Sequence, residues 1–160
     1  MKNQTCCFTG HRQLPPDMLS GISHKLKTEI YGLVDRGVTH FIAGGALGFD
    51  TLAALAVLEC RKALPELTLS LYLPCPELGP LLSEESRALY HLILHQTNMI
   101  RFLSDHYRPG CMHLRNRRMV EDSGFCICWQ TQQKGGTAYT VDYAARCGLQ
   151  IIRLAGQPPF

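Results

Sequence analysis

The sequence lacks the features that mark membrane, secreted and zinc-binding proteins. No apolar run reaches the ~18 residues that a membrane-spanning helix needs. Residues 1–4 lead directly into a predicted strand, so we expect no signal peptide and a cytoplasmic protein without membrane contact. The eight cysteines include no Cys-x-x-Cys pair, and their spacing suits no zinc site.

The cysteines are nevertheless numerous, with eight among 160 residues. We expect them to be small buried side chains in a reducing compartment rather than disulfides or metal ligands. Cys126 and Cys128 are two residues apart, which places them on one face of a strand. Cys6 and Cys7 are adjacent, so we expect that only one of them faces the core.

Charge is also scarce, with charged residues at 18% and a net charge of +3. A charge this small does not by itself indicate nucleic acid, which we do not expect as a partner. Hydrophobic residues make up 46% of the chain, which is typical of a globular protein and not of a disordered one. We expect a single domain over residues 1–156 and a short, frayed tail over residues 157–160.

Strand and helix patterns alternate along the whole chain. Asp17 is expected to cap the first helix, whose apolar stripe is Leu19, Ile22, Leu26, Ile30 and Leu33. This alternation predicts an α/β fold: a mainly parallel sheet of about six strands with helices on both faces. The predicted strands are 5–9, 38–43, 67–73, 99–103, 125–129 and 150–154. The predicted helices are 17–36, 51–64, 83–95, 112–122 and 137–147.

A glycine-rich stretch, Gly44-Gly45-Ala46-Leu47-Gly48-Phe49-Asp50, follows the second predicted strand. It contains neither the Gly-x-Gly-x-x-Gly fingerprint nor Gly-Lys-Ser/Thr, so we do not expect a P-loop NTPase. A strand, a glycine loop and a helix N-terminus together favour an anion site, and Asp50 is expected to cap that helix. A tight turn without a ligand is the alternative.

Three loops bring glycines and cations to the carboxyl edge of the predicted sheet, where α/β proteins bind ligands. Lys134 lies in the third of these loops, after the fifth predicted strand, and Arg115 and Asn116 lie near the core-facing side of their helix. Arg117 and Arg118 point away from that side of the helix, and a solvated surface is the alternative to a ligand contact for them. The predicted ligand-binding residues are Gly10, His11, Arg12, Gly44, Gly45, Ala46, Gly48, Asp50, Arg115, Asn116, Gly135, Gly136 and Thr137. His91 and His95 are four residues apart but have no acidic partner, so we expect no metal site.

Four segments together resemble the YpsA-like branch of the SLOG superfamily, which also includes the DNA-processing protein DprA and the LOG phosphoribohydrolases. They are Thr9-Gly10-His11-Arg12, the glycine-rich stretch over residues 44–50, Arg115-Asn116-Arg117-Arg118-Met119-Val120, and Gly135-Gly136-Thr137. The resemblance covers nearly the whole chain. It implies a Rossmann-like fold that binds a nucleotide or nucleotide-derived ligand, of the NAD or ADP-ribose type, through these loops.

The resemblance also bears on catalysis. LOG enzymes cleave an N-glycosidic bond with a glutamate in their Pro-Gly-Gly-x-Gly-Thr-x-x-Glu segment, and Thr140 stands where that glutamate would be. Without this carboxylate we expect a sensor-like binding protein, and we assign no catalytic residue. Cleavage of a nucleotide N-glycosidic bond is the main alternative, and DprA-like binding of single-stranded nucleic acid is the third. A homodimer is expected because most soluble oligomers are dimers.

Overall fold

The fold was analysed in a computed structural model, which describes residues 1–76 and 83–155. These residues form one six-stranded sheet in which neighbouring strands pair in parallel, as predicted. The strands are β1 (Thr5–Gly10), β2 (His40–Ala43), β3 (Thr68–Leu73), β4 (Met99–Phe102), β5 (Phe125–Trp129) and β6 (Gln150–Arg153). The helices are α1 (Leu19–Asp35), α2 (Phe49–Ala63), α3 (Glu84–Gln96), α4 (Cys111–Glu121) and α5 (Gly136–Arg146).

The strand order is β4-β3-β2-β1-β5-β6. The chain therefore builds outward from β1 to β4, crosses back, and adds β5 on the other side of β1. The direction of winding reverses between β1 and β5, where the register pairs Cys7 with Cys126 and Gly10 with Trp129. The loops that leave these two strands diverge at this point, which is where open α/β sheets form ligand clefts.

Helices cover both faces of the sheet. On one face, residues of α1, α2 and α3 such as Ile22, Ala53 and Ile93 pack with Phe8 into the larger core. On the other face, Met119 of α4 and residues of α5 pack into a second core. The two helical layers therefore cover β5, whose sequence is an unbroken apolar run, on both sides.

The two covered faces also correct the prediction for Cys6 and Cys7. Both thiols are buried, because Cys6 lies in the larger core and Cys7 lies in the second core on the opposite face. Alternation along a strand separates adjacent side chains, but in a doubly covered sheet both directions lead to a core. Cys147 was expected to be buried like the other cysteines, but it is exposed just after the end of α5.

The start of α1 differs from the prediction. A 3-10 turn over Pro16–Met18 precedes the helix, Asp17 lies within that turn, and no side chain caps α1. Proline favours the first position of a helical turn, so the turn begins at Pro16 and encloses Asp17 instead of following it. Leu19 is 39% exposed and is not part of the buried stripe, which begins at Ile22.

Other boundaries agree with the sequence patterns. Ser83 caps α3 by accepting a hydrogen bond from the Ser86 N–H at 3.1 Å. Gly37, just past α1, adopts a positive φ of 98°. Among the described residues, no helix is both long and apolar enough to cross a membrane. The predicted frayed tail over residues 157–160 lies outside the described residues.

Candidate nucleotide-binding site

A cleft of ≈ 360 Å³ opens at the carboxyl edge of the sheet, beside the winding reversal between β1 and β5. The loops after β1, β2 and β5 and the first turns of α4 surround it. The predicted residues that line it are Gly10, His11, Arg12, Ala46, Asp50, Arg115, Asn116, Gly135, Gly136 and Thr137. Gly44, Gly45 and Gly48 are not among its lining residues. The cleft is also lined by residues outside the predicted set, including Met112, His113 and Gln132.

The glycines of the β2–α2 loop serve the packing of the loop itself. A Cβ at Gly44 would lie 2.7 Å from the Asp50 carboxylate, and one at Gly45 would overlap the Leu73 side chain. A Cβ at Gly48 would collide with the backbone carbonyl of Arg12. These glycines therefore allow close approach of other parts of the chain, which fill the space where their side chains would lie.

Asp50 does not cap α2, contrary to the prediction. It is the second residue of that helix, Gly48 occupies the N-cap position with φ 77°, and no side chain caps the helix. The Asp50 carboxylate instead accepts hydrogen bonds from the backbone N–H groups of Ala46 and Gly44. Because Gly48 turns the chain before the helix begins, Asp50 lies two positions past the N-cap and faces back toward the loop.

Burial sets the charge of Asp50. Desolvation raises the pKa of its carboxyl from 3.8 to about 6, while Arg115, the two loop N–H groups and Arg12 act in the opposite direction. The side chain is still mainly a carboxylate at neutral pH, but its pKa of about 6 lies close to that pH. The cleft thus contains one acid whose charge is readily lost.

Arg115 holds the same loop from the other side. Its side chain is buried and donates hydrogen bonds to the Gly44 carbonyl and, at 2.7 Å, to Asn116 Oδ1. Burial lowers the pKa of the guanidinium, and the charge of Asp50 counteracts that effect. Arg115 therefore has a structural role in fixing the β2–α2 loop, in addition to lining the cleft.

The N-terminus of α5 has a different character from that of α2. Gly135 occupies its N-cap position with φ 106°, and no side chain caps the helix. A Cβ at Gly135 or Gly136 would meet no atom within 4 Å, so the backbone here borders open space. The first N–H groups of a helix have no partner within that helix, and they carry its positive end.

Cations and a histidine surround this helix end. Arg12 and Lys134 are exposed and line the cleft, and Arg12 donates a hydrogen bond to the Met112 sulfur at 2.9 Å. His11 Nε2 accepts the Thr131 N–H at 2.9 Å, which assigns the ring hydrogen of neutral His11 to Nδ1. Burial lowers the pKa of His11, which favours this neutral form.

The carboxylates that could replace the glutamate of LOG enzymes are differently placed. Thr140 is buried, and its hydroxyl donates to the Gly136 carbonyl at 2.9 Å. Asp142 is exposed, and Glu121 accepts a hydrogen bond from Tyr143 at 2.5 Å. Asp50 is the third carboxylate to consider beside Asp142 and Glu121, and of the three it is the one that lines the cleft. Within the described part of the chain, no three His, Cys, Asp or Glu side chains cluster as a metal site requires.

A family model described as the YspA SLOG family matches residues 8–150. The chain belongs to this family. It is 25% identical over 128 residues to a UPF0398 protein of Halalkalibacterium halodurans, covering 78% of this chain and 68% of that protein. A UPF0398 protein of Bacillus thuringiensis is 26% identical over 130 residues, covering 79% of this chain and 71% of that protein.

Two solved structures show the same fold. DNA processing protein A from Helicobacter pylori, described for its single-stranded DNA binding mode, superposes with a TM-score of 0.64 and 18% identity over 95% of this chain. DNA processing protein A from Streptococcus pneumoniae superposes with a TM-score of 0.68 and 14% identity over 96% of this chain. This SLOG-family chain spans 65% and 50% of those two chains. The likeness confirms the Rossmann-like α/β fold.

Proposed function

We propose that the chain binds a nucleotide or nucleotide-derived ligand, with a phosphate group at the N-terminus of α5. The observation that carries this proposal is the uncapped first turn at Gly135 and Gly136, which borders the open cleft. Helix N-termini of this kind bind phosphate because their free N–H groups and the helix dipole both favour an anion.

The surrounding charges support an anionic ligand. Arg12 and Lys134 lie on the rim and Arg115 lies within, against the single acid Asp50. The cleft volume of ≈ 360 Å³ suits a small molecule rather than a macromolecular segment. Membership of the SLOG family and the position at the winding reversal agree with a nucleotide. The proposed role is binding, as in a sensor, because Thr140 provides no carboxylate near the α5 N-terminus.

Replacing Gly136 tests the proposal at one backbone N–H. Gly136→Pro removes that donor, yet proline suits the first position of a helix, so we expect α5 to remain folded. Gly136→Ala is the matched control, because it keeps the N–H and its Cβ meets no atom within 4 Å. Calorimetry with ADP-ribose should show binding about tenfold weaker for the proline variant and nearly unchanged for the alanine variant. Equal affinity of both variants and wild type would contradict the proposal.

Cleavage of a nucleotide N-glycosidic bond is the second candidate. The observation in its favour is Asp50, a buried acid that lines the cleft and whose pKa is raised to about 6. Incubation with nucleoside monophosphates, followed by chromatography for the free base, separates this activity from binding alone. Turnover that is lost in Asp50→Asn would establish an enzyme, whereas binding without product supports the sensor.

Single-stranded nucleic acid is the third candidate. The structure of the Helicobacter pylori protein is described for its single-stranded DNA binding mode. Here, Arg117 and Arg146 lie over the Tyr143 ring on the outer surface of α4 and α5, where a strand of nucleic acid could reach them. Binding of this kind weakens steeply with salt, so a titration of an oligonucleotide at several salt concentrations distinguishes it from a compact nucleotide site.

We also propose, on the basis of the sequence, that the protein is cytoplasmic and forms a homodimer. Fractionation of cells and light scattering of the purified chain test these two points directly.

A further inference from the structure

A second cavity of ≈ 480 Å³ lies beside the cleft at the same edge of the sheet. We call it the apolar cavity. It is bounded by the loop after β1, the 3-10 turn over Pro16–Met18, the end of β5 and the chain just after β6. Its lining residues are His11, Gln13, Leu14, Pro15, Met18, Trp129, Thr131 and Ala155.

Neighbouring residues of the same two loops line the apolar cavity and the cleft. His11 lines both of them. In the loop after β1, Arg12 lines the cleft and Gln13 lines the apolar cavity. In the loop after β5, Thr131 lines the apolar cavity and Gln132 lines the cleft. The hydrogen bond from the Thr131 N–H to His11 joins the two loops where the cavities meet.

The two spaces differ in chemistry. Arg12, Asp50, Arg115 and Lys134 line the cleft, whereas the described residues that line the apolar cavity include no Lys, Arg, Asp or Glu. Most of its lining is apolar, and the lining includes Trp129. The amide of Gln13 and the hydroxyl of Thr131 are available polar groups at its edge. This combination suits an uncharged, planar ring that carries a few hydrogen-bonding atoms.

We propose that the apolar cavity holds the ring of a ligand whose phosphate occupies the cleft. The ligand class is thus a nucleotide, which joins such a ring to a phosphate, rather than a lone phosphate or a sugar phosphate, and ADP-ribose is the probe. This inference rests on the proposed function, because it takes the phosphate position at α5 as given. His11 then separates the ring of the ligand from its anionic part.

Trp129 provides a direct readout, because it is the one tryptophan of the chain and it lines the apolar cavity. ADP-ribose should change the tryptophan emission in a saturable manner, with the same midpoint that calorimetry gives. Inorganic pyrophosphate should bind in the cleft without changing the emission. Binding of ADP-ribose without any change in emission would overturn the inference.

A substitution in the lining gives an independent test. Met18 is 40% exposed and directly precedes the first residue of α1, where a negative charge suits the helix dipole, so Met18→Asp should fold normally. Its carboxylate would be desolvated by a ring in the cavity, so we expect ADP-ribose to bind about tenfold more weakly. Leu19→Asp is the matched control, because Leu19 is equally exposed at 39% and does not line the cavity.

The outcomes separate the two proposals. If Met18→Asp weakens ADP-ribose and leaves the affinity for pyrophosphate unchanged, while Leu19→Asp affects neither, the ring lies in the apolar cavity. If wild type binds both probes and Met18→Asp changes neither affinity, the inference is wrong and the proposed function stands. If neither probe binds to wild type, the proposed function fails and the inference fails with it.

Discussion

At the scale of single residues, the buried pair of Asp50 and Arg115 determines the shape of the β2–α2 loop. The carboxylate accepts the N–H groups of Gly44 and Ala46, and the guanidinium donates to the Gly44 carbonyl. Both side chains therefore form hydrogen bonds with the backbone of the same loop. Residues that the sequence predicted for a ligand are therefore also residues that hold the loop together.

Arg115→Ala is expected to destabilise the fold. It leaves the Gly44 carbonyl and the Asp50 charge buried without their partner, so the free energy of unfolding should fall by about 3 kcal/mol. Arg117→Ala is the matched control on the same helix, because Arg117 is exposed and its contact with the Tyr143 ring lies at the surface, so its loss should lower the free energy of unfolding much less. Urea denaturation measures both variants, and equal losses would show that Arg115 has no special structural role.

Asp50 should make stability depend on pH. Its pKa is about 6 in the folded chain against 3.8 ordinarily, so between those values the folded state holds a proton that the unfolded state has released. Stability from this group is therefore present at pH 4 and falls as the pH rises toward 6. The pKa difference corresponds to roughly 3 kcal/mol.

The Asp50→Asn variant isolates this effect from other titrating groups, because asparagine does not ionise. The unfolding free energy of the variant minus that of wild type should rise by up to about 3 kcal/mol between pH 4 and pH 7. Urea titrations at four pH values give the difference. A difference that stays constant or falls with pH would be inconsistent with a raised pKa.

At the scale of elements, the N-termini of α2 and α5 both contain glycines but differ in structure. The loop before α2 is closed by its own chain: the Phe49 N–H donates to the His11 carbonyl at 3.1 Å, and the Thr51 hydroxyl donates to the Ala46 carbonyl. The N-terminus of α5 is uncapped by side chains and faces the cleft. The element that binds phosphate is therefore proposed to be α5.

The packing of the β2–α2 loop can be tested at Gly45. It has φ 74° and a Cβ there would overlap Leu73, so Gly45→Ala should lower the unfolding free energy by about 2 kcal/mol or more. Gly37→Ala is the control, because Gly37 has φ 98° but a Cβ there meets no atom within 4 Å. Thermal and urea unfolding should show the larger loss for Gly45, and equal losses would mean that the contact with Leu73 is unimportant.

The sequence predicted the fold almost completely, because each strand is a compact apolar run and each helix has recognisable ends. The β5 bounds, Phe125–Trp129, match the prediction, and Ser83, the first residue of the third predicted helix, is the N-cap of α3. The role of Asp50 could not be predicted, since it depends on Gly48 turning the chain one residue before the helix. The apolar cavity was also missed, because Met18, Trp129 and Ala155 are far apart in sequence and meet only in the folded sheet.

At the scale of the whole molecule, the winding reversal between β1 and β5 brings the parts of the site together. The loop after β1 contributes His11 and Arg12, and the loop after β5 contributes Lys134 and the start of α5. Helices on both faces leave this edge as the place where loops diverge. The same topology therefore produces both the charged cleft and the apolar cavity beside it.

The central claim is that phosphate binds at the N-terminus of α5 and not in the glycine-rich loop before α2. Backbone amide NMR of the 17.9 kDa chain, titrated with ADP-ribose and with inorganic pyrophosphate, tests it most directly. We predict that the amides of Gly135, Gly136 and Thr137 shift most with either probe. Largest shifts at Gly44, Gly45 and Ala46, or no saturable shift at either loop, would contradict the account.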